Sequence, residues 1–248
     1  MFSKTFSISH WREHYMIKAV IFDMDHTLYD RDGTYRNMGE SFCNVFKDYI
    51  NHDKTREELV QILQQSDKEG AYCGWEGIYE KVCEYRAFRT PPSFEMFYGY
   101  IFDRFSECIE PYEDTYEILE WCKASGYQTG IITNGTEDFQ MKKIKALQLD
   151  RHVEHIIIGG VIGSQKPDLK PFYAMSSLLQ LKPSEMVYVG DNPLNDIDAS
   201  RRAGFIPIWF RSVGIWLESV ERTAYCIDRL KEIPAVIAAI REREDCLK

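Results

Sequence analysis

Asp23 and Asp25 stand two positions apart, directly after the apolar run Ala19-Val20-Ile21-Phe22. The run reads as a buried strand, and the acids fall where that strand ends. Two carboxylates held together repel, so the pair needs a compensating charge, most simply a divalent cation. Further apolar runs lead into polar residues of matching chemistry. Thr129 to Ile132 closes on Thr133, Met186 to Val189 closes on Gly190-Asp191, and Lys166 follows the run His155 to Ile158. Transfer of a phosphoryl group uses this set of side chains.

Each residue has a role in that chemistry. Asp23 can attack phosphorus, since aspartate is a competent covalent acceptor. Asp25 can protonate the departing alkoxide and then activate water. Thr133, with nearby backbone N–H groups, can cradle phosphoryl oxygens, and Lys166 can screen nucleophile and phosphate from each other. Asp191 offers a hard oxygen ligand alongside the Asp23 carboxylate, with Gly190 permitting the tight turn that aims it. Asp196 can hold a metal-bound water, orient Lys166, or complement the N-terminal end of a helix. This oxygen-only donor set favours Mg²⁺ over zinc or copper. Taken singly, an Asp after a strand is often a turn residue or helix cap. The coincidence of several such strand ends carries the argument.

The elements that must position these groups alternate regularly. Strands are expected at 19–22, 129–132, 155–158, 186–189 and 206–210, with an edge strand near 224–227. Between them, Tyr116, Leu119 and Cys122 recur at helical spacing, as do Phe172, Met175, Leu178 and Leu179, and a last helix carries Ile233, Val236, Ile237 and Ile240. Short, nearly continuous apolar strands alternating with helices predict an α/β fold with a parallel sheet covered on both faces.

Residues 33–108 break the alternation. Aromatic residues recur there at helical spacing, including Phe42, Phe46 and Tyr49, then Trp75 and Tyr79. A helical insert just after the acidic loop is expected to form a cap over the carboxyl ends of the strands, where sites in such sheets lie. Most of its aromatics, from Tyr72 to Phe105, are expected to form its interior, with one or two free to stack on a sugar or base.

Composition restricts the partners. Thirty Lys and Arg against 39 Asp and Glu give a net charge of −9, with no basic block for a nucleic-acid backbone. No apolar run has the roughly 20 residues a bilayer crossing needs. Seven cysteines, an odd number with no CxxC pair, predict reduced, mostly buried thiols in a cytoplasmic protein. Residues 1–16 read as an N-terminal extension, not a signal peptide.

The ordered set Asp23-Met24-Asp25-His26-Thr27-Leu28, Ile131-Ile132-Thr133-Asn134-Gly135, Lys166-Pro167 and Gly190-Asp191-Asn192-Pro193-Leu194-Asn195-Asp196 resembles the haloacid dehalogenase-like hydrolase superfamily. Within it, the likeness is to the phosphatase branch with a helical cap after the first motif. That resemblance implies a Rossmann-like core over 17–32 and 109–248 and a cap over 33–108. It implies an aspartyl-phosphate at Asp23, with Asp25 as acid/base and, through its backbone carbonyl, as a Mg²⁺ ligand. Thr133 and Lys166 carry over as phosphate-binding residues and Asp191 as a metal ligand, with Asn134 and Asp196 in support. Dehalogenases of the superfamily lack an acid at the Asp25 position. His26 stands where the branch more often has Asp, Gly or Asn, and either fills the loop or tunes its pH response. The expected substrate is a small phosphorylated metabolite, a sugar phosphate or nucleoside monophosphate. A phosphosugar mutase and a silent phosphate-binding module are the competing readings; the sequence leaves monomer and homodimer equally open.

Overall fold

The computed structural model describes residues 17–70 and 73–246. The extension expected at 1–16 and the ring of Tyr72 lie outside the described residues. In chain order the strands and α-helices are β1 (Ala19–Phe22), α1 (Arg31–Val45), α2 (Arg56–Gly70), α3 (Gly74–Glu84), α4 (Phe94–Arg104), α5 (Thr115–Ala124), β2 (Gln128–Thr133), α6 (Glu137–Ala146), β3 (His155–Ile158), α7 (Gly159–Ile162), α8 (Lys170–Leu179), β4 (Met186–Gly190), α9 (Ala199–Arg202), β5 (Ile206–Phe210), β6 (Cys226–Ile227) and α10 (Ile233–Cys246).

The six strands form one sheet in the order β3-β2-β1-β4-β5-β6, and every neighbouring pair is parallel. All four residues of β1 are fully buried, which requires cover on both faces because successive side chains point to opposite sides. On one face Ala19 and Ile21 join Ile132, Met186 and Tyr188 against Phe172 and Met175 of α8 and Ala199 of α9. Burying a side chain such as Phe172 contributes roughly 2–3 kcal/mol. Phe22 is in register with Ile131 of β2 and with Val189 of β4. The chain leaving β1 therefore emerges between the ends of β2 and β4. This is the crevice where strand order reverses in a doubly wound sheet.

The chain divides into two compact units. The sheet unit runs through Thr27, then Glu113–Asn134, then from Arg151 onward; the helical unit comprises Leu28–Tyr112 and Gly135–Asp150. Sequence periodicity alone puts α6 with the sheet, whereas its contacts group it with the insert. The reason lies in its apolar face: Phe139 sits 4.9 Å from the Trp75 ring and 5.6 Å from that of Phe105. Elsewhere in the helical unit Phe46 packs against Phe88 and Tyr100 at 5.6 and 5.2 Å, so much of the aromatic content is interior.

No helix among the described residues is long and apolar enough to cross a membrane. Cys43, Cys73, Cys83, Cys108, Cys122 and Cys226 are all free thiols, but of these only Cys122 is buried. The expectation of mostly buried thiols is corrected: apolar neighbours in sequence do not place a cysteine on the inward face of its element.

Candidate active site

Asp23 is the first residue past β1, and its N–H donates to the Val189 carbonyl at 2.8 Å. That bond continues the ladder one residue beyond the strand and fixes the backbone as it turns toward Asp25. The next residues form a turn, with the Thr27 N–H donating to the Met24 carbonyl and His26 in the left-handed region at φ 61°. Asp23 is buried and Asp25 half-buried. Thr133, the last residue of β2, is also buried.

Lys166 lies on the long connection between α7 and α8, and two devices hold it. Its backbone is clamped by Asn134, whose amide donates to the Lys166 carbonyl while its carbonyl oxygen accepts the Lys166 N–H, both at 2.8 Å. Its buried Nζ donates to Asp23 Oδ1 at 2.5 Å, to Asp196 Oδ1 at 2.7 Å and to the Tyr188 hydroxyl oxygen at 2.9 Å. An ammonium has three protons, so its donor capacity is matched.

Asp191 follows β4 and begins the loop that carries Asp196. Asn192 caps the π-helical stretch Pro193–Asp198, its Oδ1 accepting from the N–H groups of Leu194 and Asn195. Asp196 is thereby turned back toward the strand. One of its oxygens accepts from Lys166 and the other from the Asn192 N–H at 2.9 Å. Gly190 serves a different purpose from the one expected. It ends β4 rather than making a strained turn, and a Cβ there would lie 2.5 Å from the Asp196 Cβ. The glycine is needed for that close approach.

Carboxylate oxygens of Asp23, Asp191 and Asp196 all lie within 4.8 Å of one another, and all three residues are buried. Three acids around one ammonium leave an excess of negative charge away from water. Burial, first of all, raises the Asp23 carboxyl to about 7; Lys166 opposes this, while Asp196 and Asp25 add to it. Asp191 is raised well above the ordinary carboxylate range by burial and then by Asp196 and Asp23. Burial works against the charged form of Lys166, yet Asp196 and Asp23 outweigh it and hold its pKa above the normal lysine value. The remaining charge deficit and the all-oxygen donor set fit a hard divalent cation. Of the three acids, Asp196 already has both oxygens engaged by the protein, which leaves Asp23 and Asp191 as the better ligands. The Asp25 side chain stands outside this group.

Sequence reasoning passes over Tyr188. Inside an apolar strand it reads as core, yet its hydroxyl accepts from Lys166 and lies within hydrogen-bond reach of Asp196 and the Ile132 carbonyl. A polar-tipped ring two residues before Gly190, on the same strand face, was the available signal.

The chain is 27% identical over 236 residues to glyceraldehyde 3-phosphate phosphatase of Pyrococcus furiosus, covering 92% of this chain and 95% of that one. It is 23% identical over 220 residues to pyrophosphatase PpaX of Bacillus mycoides, covering 86% and 96%. Its fold matches that of the HAD-hydrolase YfnB from Bacillus subtilis with a TM-score of 0.72 at 17% identity, covering 90% and 99%. The family model for haloacid dehalogenase-like hydrolases matches residues 20–209, and the chain belongs to that family.

Proposed function

We propose that this protein is a Mg²⁺-dependent phosphatase that hydrolyses small phosphomonoesters through a covalent aspartyl-phosphate. The observation that carries the reading is the placement of Lys166 Nζ on one oxygen of Asp23, with the Asp191 carboxylate close by. The lysine steers Asp23 and leaves its second oxygen to attack phosphorus. Asp23, Asp191 and the Asp25 carbonyl would hold Mg²⁺, which when bound would neutralise phosphoryl charge beside the nucleophile. Thr133 and adjacent main-chain N–H groups receive the phosphoryl oxygens. As the ester P–O bond breaks, the Asp25 carboxyl gives its proton to the leaving oxygen. Asp25 then takes a proton from water, whose oxygen attacks the acyl-phosphate and releases inorganic phosphate and the Asp23 carboxylate. Asp196 and Asn134 act through Lys166 as positioning residues.

The relatives' activities on glyceraldehyde 3-phosphate and pyrophosphate support a small phosphorylated substrate. For this chain we favour a sugar phosphate or nucleoside monophosphate, either of which can stack on an aromatic ring. The free thiols suit a reducing compartment, and we assign the protein to the cytoplasm.

Hydrolysis of p-nitrophenyl phosphate with Mg²⁺ tests the reading. Wild type should release inorganic phosphate, and EDTA should abolish the activity. Asp23→Asn should lower turnover at least about a thousandfold with the fold retained. Undiminished turnover in that variant, or activity indifferent to chelator, would refute the proposal.

A further inference from the structure

Three contacts in the sheet unit converge on the two turns that carry the metal-binding groups, and all three come from one segment. Trp209, in β5, donates its indole N–H to the Asp191 carbonyl at 2.9 Å in a buried bond. Ser212, just past the strand, donates its hydroxyl to the His26 carbonyl at 2.7 Å. Gly214 runs so close to the Asp191 turn that a Cβ there would lie 2.7 Å from the same Asp191 carbonyl oxygen. None of these residues belongs to the motifs read from the sequence.

We propose that the segment Trp209–Gly214 is a positioning strap that sets the Mg²⁺ affinity of the site by holding the Asp191 and Asp25–His26 turns in register. The two turns belong to different loops, one after β1 and one after β4, and no covalent link fixes their separation. A backbone carbonyl anchored at Asp191 constrains the direction of its own carboxylate. Anchoring the His26 carbonyl constrains the peptide plane that precedes it, which bears the Asp25 carbonyl. The left-handed His26 makes that constraint effective, because few side-chain-bearing residues rest in such a conformation without outside support. A hard cation with near-octahedral demands tolerates little error in ligand direction. Removing an anchor should therefore weaken metal binding even though no ligand is lost.

This inference rests on the proposed Mg²⁺ site, and its test separates the two. Mg²⁺ is titrated calorimetrically into wild type, Trp209→Phe, Ser212→Ala, Ser212→Thr and Gly214→Ala, and half-saturating Mg²⁺ is measured in parallel with p-nitrophenyl phosphate. Trp209→Phe keeps an aromatic side chain, though a smaller one, and deletes the N–H, Ser212→Ala deletes the hydroxyl, and Gly214→Ala displaces the strap. Trp209→Phe and Ser212→Ala should each raise the Mg²⁺ dissociation constant about fivefold, the weight of one net hydrogen bond. Gly214→Ala should shift it in the same direction, and Ser212→Thr should restore the wild-type value. A merely destabilised protein would show fewer binding-competent molecules at an unchanged dissociation constant. Wild-type affinity in both Ser212→Ala and Gly214→Ala would overturn the strap while leaving the metal site intact. Absence of Mg²⁺ binding in wild type would overturn the metal site itself and the strap with it.

Discussion

Each unit of the molecule buries an ionic group, and the two are built differently. In the helical unit Arg31 grips Asp67 with two parallel bonds, Nε to Oδ2 at 2.7 Å and Nη2 to Oδ1 at 2.5 Å, and the Tyr35 hydroxyl donates to the same carboxylate at 2.9 Å. The guanidinium also lies 5.3 Å from the Phe105 ring and 5.6 Å from that of Trp75. One guanidinium fork meets one carboxylate, the geometry in which a buried pair best repays its desolvation. In the sheet unit three buried acids surround a single buried lysine. The first arrangement joins helix to helix. The second is left wanting positive charge, a deficit that fits a hard cation.

The contrast is most sharply tested by removing one partner from each. Under the proposed mechanism, Lys166→Met should lower hydrolysis by about a hundred- to a thousandfold, since the ammonium bonded to Asp23 disappears. Asp67→Asn should act on stability instead, costing about 3 kcal/mol and lowering Tm by about 6–12 °C. Calorimetry and steady-state kinetics on both variants decide the matter. Equal kinetic damage from both substitutions would erase the distinction.

A second test uses pH. Because Asp23 is raised to about 7 by burial, the metal-free folded chain keeps a proton that the unfolded chain releases near pH 4. Stability in EDTA should therefore fall as pH rises from about 4 to 7. Mg²⁺ takes the place of that proton, so its stabilising increment should grow across the same interval. Thermal unfolding with and without Mg²⁺ measures both trends, and the Asp23 contribution to the slope should vanish in Asp23→Asn. A slope identical in the two proteins would contradict the assignment.

The smallest expected effect is at Tyr188. Tyr188→Phe removes one of the three acceptors around the lysine ammonium and should lower turnover about fivefold, the weight of a single hydrogen bond. Wild-type kcat in this variant would make Tyr188 a core residue only.

The strands and their parallel character were legible in the sequence because buried parallel strands need continuous apolar runs, and 19–22, 155–158 and 206–210 coincide with β1, β3 and β5, whereas the strand order is known only from the structure. The reactive side chains stood out because they sit where such runs stop. What remained hidden was set by contacts between distant segments. Periodicity offered three uses for Asp196, and only its bonds to Lys166 and to the Asn192 N–H favour one of them. Gly190 looked like a turn residue because its real constraint, the Cβ of Asp196, lies on a returning stretch of chain. The grouping of α6 with the insert depends on Phe139 meeting Trp75, a pairing that no local pattern announces.

The enclosure of Lys166 also bears on the laboratory handling of this protein. Its side chain is 3% exposed, whereas that of Lys145 is 63% exposed, and its pKa lies above the ordinary lysine value. Acylating and alkylating reagents need a free, accessible amine. Reductive methylation or surface immobilisation under native conditions will consume peripheral lysines first, leaving the interior one unlabelled and the immobilised protein ready for assay.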